Sequence, residues 1–114
     1  MSSCSKIIAA VAVLATSVAA QESGPMTYYT PGLGACGVTS TSNDAVVALN
    51  TADYDNGAHC FQWITIDGNG AQTAAQVVDL CPGCGAGGID VSPAIFDDIA
   101  PLSEGVVEVT WYFQ

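Results

Sequence analysis

Val77-Val78-Asp79-Leu80-Cys81-Pro82-Gly83-Cys84-Gly85-Ala86-Gly87-Gly88-Ile89-Asp90-Val91-Ser92-Pro93 decides how the rest of the chain is read. An apolar run ends on an aspartate and a cysteine. A glycine-rich corner follows, then a second aspartate between two aliphatic residues, then a helix start. Ser92 is a good N-cap residue, and Pro93 suits the first helical position, where its missing N–H costs nothing. Ala94 to Ala100 can form two turns with Ile95, Phe96 and Ile99 on one face, and Pro101 ends them.

Upstream, Gln72 to Asp79 reads as the returning arm of a hairpin. Its first arm, Gln62 to Ile66, alternates, with Ile64 and Ile66 on one face and Trp63 and Thr65 on the other. Asp67-Gly68-Asn69-Gly70 supplies two turn dipeptides between them. Ala45 to Leu49 is a further apolar run of strand length. Downstream, Val107, Val109, Trp111 and Phe113 alternate with Glu108, Thr110 and Tyr112, which turns one apolar face to a core. Short strands, one clear short helix and Gly-rich corners at Gly32 to Gly37 and Gly83 to Gly88 predict a small closed barrel. Periodicity alone does not choose the strand order.

The N-terminal segment has a different character. Lys6 precedes an apolar run from Ile7 to Ala15, and Ser17-Val18-Ala19-Ala20 follows. This is the pattern of a secretory signal peptide, with cleavage after Ala19 or Ala20. The run is short against the roughly 20 apolar residues of a bilayer-spanning helix. The expected organisation is therefore a signal peptide over 1–20 and a single domain over 21–114, secreted and monomeric.

Charge narrows the partners. The full chain has 11 acidic residues, one Lys or Arg and a formal charge of −10; loss of Lys6 with the signal leaves −11. A domain with no Lys or Arg cannot neutralise phosphates, which argues against nucleic acid. Anionic membranes and polyanions such as pectate would be repelled at low salt, whereas neutral glycans and basic surfaces remain open. Loss of Cys4 leaves Cys36, Cys60, Cys81 and Cys84, an even number that points to two disulfides. Four cysteines are also formally a zinc set, but secretion favours disulfides. No metal and no cofactor is expected.

Four ordered segments carry a resemblance: Met26-Thr27-Tyr28-Tyr29, Gly34-Ala35-Cys36-Gly37, Val77-Val78-Asp79-Leu80-Cys81, and Gly88-Ile89-Asp90-Val91-Ser92-Pro93, with the Val107–Phe113 strand behind them. Together they resemble the double-psi β-barrel family of expansins, barwin-like proteins, the rare lipoprotein A group and expansin-related endoglucanases. Small fungal secreted members are the most similar. The resemblance implies a mostly-β fold, a six-stranded double-psi barrel with one or two short helices, stapled by Cys36–Cys60 and, with it, Cys81–Cys84. It also implies a groove in which Thr27, Asp79 and Asp90 match groove positions, Asp90 at the place of the proton donor of the endoglucanase relatives.

Glycoside hydrolysis normally needs two carboxyl groups flanking the bond. Asp90 can be the acid, but Tyr28-Tyr29-Thr30-Pro31-Gly32 has no carboxylate where those relatives carry their base. Asp79 is the remaining candidate. The rare lipoprotein A pattern also uses a histidine, and Leu49-Asn50 stands at that place here, while His59 sits in a turn beside Cys60. Two roles stay open for the aspartates: lining a groove, or capping a strand-to-loop junction through backbone N–H groups. Tyr28, Tyr29, Tyr54, Trp63 or Tyr112 can offer faces to sugar rings, and Trp111 and Phe113 belong to the core face.

The expected function is a secreted, expansin-like domain that binds or loosens cell-wall polysaccharide without hydrolysis, using Thr27, Tyr29, Asp79 and Asp90. The alternatives are a secreted protein-binding module of the cysteine-protease-inhibitor or effector type, and a weak lytic enzyme on wall glycan.

Overall fold

The computed structural model describes residues 20–114. The expected signal peptide falls on residues 1–19 and Ala20, so all but its last residue lies outside the described residues. Six strands close into one barrel: β1 (Glu22–Tyr28), β2 (Val46–Asn50), β3 (Trp63–Gly68), β4 (Ala71–Cys81), β5 (Ile89–Val91) and β6 (Val107–Phe113). Around the barrel they run β1-β5-β2-β4-β3-β6. β1 pairs with β5, and β2 with β4, in parallel, and the other neighbours are antiparallel. A parallel pair cannot be joined by a tight hairpin, so the chain crosses over between each pair of partners. Two such crossovers make the double-psi barrel that the sequence resemblance implies.

Local chemistry fixes the pieces. The β3–β4 hairpin turns at Asn69 (φ 52°) and Gly70 (φ 78°). Two positive φ values in a two-residue loop match the right-handed twist of the flanking strands, and Asn-Gly is the pair that adopts them at least cost. Inward-facing residues form one core. Met26, Val47, Leu49, Ile64, Ile66, Val77, Ile89, Val91, Val109 and Trp111 contribute from the strands. The Trp111 indole is fully buried, and its Nε1 donates to the Gly87 carbonyl at 2.9 Å. That carbonyl comes within reach because the chain packs tightly there. A Cβ on Gly87, at φ 74°, would collide with the Ser23 carbonyl of β1. Phe113, expected in the core, is half-buried at its edge and lies between Trp111 and the ring of His59, which stacks on it at 4.3 Å.

Two short helices accompany the barrel. α1 (Thr51–Tyr54) directly follows β2, and α2 (Pro93–Ile99) buries Ile95, Phe96 and Ile99. Ser92 occupies the N-cap position of α2, but its side chain makes no capping bond. The hydroxyl donates instead to the Asp44 carbonyl at 2.6 Å, because Ser92 is fully buried beside that acceptor. The capping seen in the molecule belongs to α1, which the periodicity of the sequence does not reveal. There Asn50 Oδ1 accepts from the Asp53 N–H at 3.0 Å. Disulfides join Cys36 to Cys60 and Cys81 to Cys84, the pairing that the resemblance implies. No helix among the described residues is long and apolar enough to cross a membrane.

Candidate functional site

Strand register brings the sequence-predicted residues together. Thr27 of β1 lies opposite Asp90 of β5, Asp90 opposite Ala48 of β2, and Ala48 opposite Asp79 of β4. Residues directly opposite one another across a sheet share a face. Thr27, Asp90, Ala48 and Asp79 therefore form one row across four strands on the outside of the barrel. Their chain neighbours Met26, Ile89, Val91, Val47 and Leu49 face the core. Ala48 is 3 % exposed, so a methyl group forms the floor between the two carboxylates.

Asp79 reaches this face because β4 is irregular. Val47 pairs with Val77 but Ala48 pairs with Asp79, which leaves Val78 as an extra residue. Strict alternation from the buried Val77 would turn Asp79 into the core; one inserted residue turns it out. The bulge also anchors a loop. The Val78 carbonyl accepts from the Cys36 N–H at 3.0 Å, and Gly34 lies so close to it that a Cβ there would collide with that oxygen.

The two acids differ in their partners. Asp79 Oδ1 accepts from the Ala35 N–H and from the Leu80 N–H, each at 2.8 Å, and the Tyr29 hydroxyl approaches Oδ2 at 3.5 Å. It thus ties the end of β4 to the Gly34–Cys36 loop. Asp90 is half-buried and is held on one oxygen only, by the Thr27 hydroxyl donating to Oδ1 at 3.0 Å. No group among the described residues bonds its Oδ2. No buried side-chain oxygen there lacks a partner either, so Oδ2 is open to solvent. Burial pushes the Asp90 carboxyl above its ordinary range; the Thr27 hydroxyl works against that shift, and the Asp79 charge adds to it. Burial, then the charges of Asp79 and Asp90, raise the Tyr29 phenol well above its usual range, so Tyr29 stays a neutral donor at the row's edge. The row therefore offers a hydroxyl, a phenol and the open Oδ2 of Asp90 within a region of carboxylate charge.

The other sequence candidates lie apart from this row or are already engaged. The Tyr28 hydroxyl donates to the Leu102 carbonyl at 3.0 Å, and its ring packs edge-on against Phe96. Asn50, at the place of the histidine in the lytic pattern, is 2 % exposed. Its amide donates to Asp53 Oδ2 at 2.7 Å and to the Gly88 carbonyl at 3.0 Å, which is a structural role. His59 Nδ1 lies 2.9 Å from Gln62 Oε1 within its own turn. Trp63 is exposed on β3, away from the row. Ala48 and the Ala35 N–H went unread in the sequence, since only the parallel register and the bulge reveal them. Among the described residues no three His, Cys, Asp or Glu side chains are grouped to hold a metal.

Comparison with known proteins places this architecture. No family model matches the chain. A papain inhibitor of Streptomyces mobaraensis is 38% identical over 99 residues, covering 79% of this chain and 69% of the inhibitor. An allergen of Aspergillus fumigatus is 35% identical over 98 residues, covering 80% of this chain but 36% of the allergen. Among solved structures, a Streptomyces papain inhibitor superposes with a TM-score of 0.74 at 36% identity, covering 82% of this chain and 94% of the inhibitor. The expansin of Clavibacter michiganensis superposes with a TM-score of 0.77 at 22% identity, covering 83% of this chain and 50% of the expansin. A mutant of that expansin has been solved in complex with cellohexaose. The chain belongs to the double-psi β-barrel family that takes in expansins and these papain inhibitors.

Proposed function

We propose that this protein is an extracellular, expansin-like domain that binds or loosens neutral cell-wall polysaccharide without cleaving it, through Thr27, Tyr29, Asp79 and Asp90. One observation carries the reading: of the two carboxyl groups in the row, Asp79 is tied down by two backbone N–H groups, whereas Asp90 is held by a single hydroxyl. Both N–H groups bind Asp79 Oδ1 at 2.8 Å, and the Tyr29 hydroxyl stands 3.5 Å from Oδ2. Those two N–H bonds fix Asp79 as the anchor of the Gly34–Cys36 loop. Hydrolysis by two carboxyl groups would need the second one free to activate water or attack the sugar. A half-buried acid with a neighbouring hydroxyl and phenol is instead suited to hydrogen-bonding sugar hydroxyls. The two disulfides suit an oxidising, extracellular compartment.

The test is retention of the purified protein on insoluble cellulose and chitin, with the supernatant assayed for reducing sugars. We expect retention without sugar release, and weaker retention of Asp90→Ala. Sugar release that disappears in Asp90→Ala would overturn the reading in favour of a lytic enzyme.

A second reading rests on a specific likeness, since the papain inhibitor covers most of this chain at 38% identity. A rigid, doubly stapled barrel with short loops loses little entropy on binding a protease cleft. Stoichiometric inhibition of papain, together with no retention on either polymer, would favour this reading.

A further inference from the structure

On the other side of the Gly32–Ser40 loop from the carboxylate row lies a separate open cleft of about 410 Å³. The loop is the wall between them: its Ala35 N–H faces Asp79, and its Val38 and Thr39 line the cleft. Val46 and Val78 also line it, with Phe61 and Trp63 beside them and Asp44 among its polar groups.

The aromatic side chains here are held out in water. Phe61 is 45 % exposed, Trp63 42 % and Val38 39 %. Phe61 sits at φ 72°, a left-handed backbone that a bulky residue adopts only under constraint. The constraint is visible: the Phe61 N–H donates to the Val77 carbonyl at 2.8 Å, and Gln76 Nε2 donates to the Phe61 carbonyl at 3.1 Å. Phe61 does not belong to the buried core cluster. Asp44 is fixed as well. Its Oδ2 accepts from the Thr41 N–H at 2.7 Å and the Thr41 hydroxyl at 3.2 Å, and its Oδ1 has no partner among the described residues.

We propose that this cleft docks a protein segment presenting an arginine or lysine side chain. The aliphatic stem lies over Val46 and Val78, and the cationic head meets the Trp63 ring and the Asp44 carboxylate. Long basic side chains bury their stems while keeping the charge at a polar rim. Aromatic faces attract such cations, indole most strongly. Charge complementarity selects this occupant over a neutral sugar or an acidic segment. Residues 20–114 contain 11 carboxylates and no Lys or Arg, so the surrounding field draws cations in and supplies no cation of its own.

The test uses the uniformly 15N-labelled protein and the peptide acetyl-Gly-Leu-Arg-Leu-Gly-amide. Controls are the same peptide with Glu in place of Arg, and cellohexaose. We expect the Trp63 indole N–H signal and the Val38 and Val78 amide signals to shift with the Arg peptide up to millimolar concentration and to stay still with the Glu peptide; the two amides report affinity in Trp63→Ala. Affinity should fall about tenfold in Trp63→Ala and about fivefold in Asp44→Asn, and should be unchanged in Asp90→Asn. Circular dichroism of each variant checks that it folds. No shift at millimolar Arg peptide would overturn the proposal, as would Val38 and Val78 amide shifts that keep the same peptide affinity in Trp63→Ala. A Trp63 shift with cellohexaose and not with the Arg peptide would overturn it in favour of a sugar site. Because Asp90→Asn reports on the carboxylate row alone, failure here leaves the polysaccharide reading separately judged.

Discussion

Asp90 is half-buried and held by one hydroxyl, which makes its charged form costly. Its pKa in the folded chain is raised, mainly by burial, so folding favours its protonated form. The stability tied to that proton is fully present below the ordinary carboxylate range and is lost as pH rises through the folded value. At neutral pH the folded protein therefore carries a half-buried charge that the unfolded chain solvates freely. Asp90→Asn keeps an acceptor for the Thr27 hydroxyl and removes the charge. We expect its Tm to rise by about 2–4 °C at pH 7 and to match the parent near pH 3. Differential scanning calorimetry at the two values checks this, and a lower Tm at pH 7 would mean that the charge is stabilised by something the geometry lacks. At this scale the sequence is legible for Thr27 and Asp90, which stand in motifs. For Asp79 the sequence also offers the capping of a strand-to-loop junction through backbone N–H groups, but not the identity of the loop donor. That donor is Ala35, 44 residues away, and no periodicity links such positions.

Among the elements, length decided what could be read. β6 runs seven residues in clean alternation, and α2 announces itself with Ser-Pro and three apolar positions. β5 has three residues and α1 four, too few for either period to show. The Val78 bulge is invisible in a continuous apolar run, yet it turns Asp79 outward. Staples act at the same scale. Cys36–Cys60 closes a separation of 24 residues, whereas Cys81–Cys84 closes 3. Chain entropy assigns about 3 kcal/mol to the longer loop and roughly 2 kcal/mol to the shorter. The corner after Cys84 is also held without the disulfide, by Trp111 Nε1 on the Gly87 carbonyl and the Asn50 amide on the Gly88 carbonyl. Replacing both cysteines of a pair by serine should therefore lower the urea midpoint clearly more for Cys36–Cys60 than for Cys81–Cys84. The reverse order would show that the glycine corner depends on its short bridge.

For the molecule as a whole, charge is the simplest and least local property, and the sequence states it completely. The barrel's strand order needed the family resemblance, because the parallel partners β1 and β5 are more than 60 positions apart and nothing between them marks the pairing. Net charge needs no topology. The described residues hold 11 carboxylates and contain neither Lys nor Arg, so they form no Lys or Arg ion pair that salt could weaken. In most proteins added salt screens attraction and repulsion together; here it screens almost only repulsion. Compacting eleven like charges raises their mutual energy relative to the extended chain. Raising sodium chloride from about 0.01 M to about 1 M shortens the screening length from about 30 Å to about 3 Å. Tm should rise monotonically over that range, by several degrees, with most of the gain below about 0.15 M, where the screening length is already about 8 Å. Sodium chloride is the salt to use, because sulfate would also strengthen burial of apolar surface. The same titration at pH 3, where acid has removed most of the net negative charge, should leave Tm nearly flat. A Tm that falls with salt at pH 7 would mean that specific attraction outweighs the summed repulsion. Because residues 20–114 hold no Lys or Arg, the attraction would then come from His59, from an N-terminal ammonium or from a bound cation held by the carboxylates.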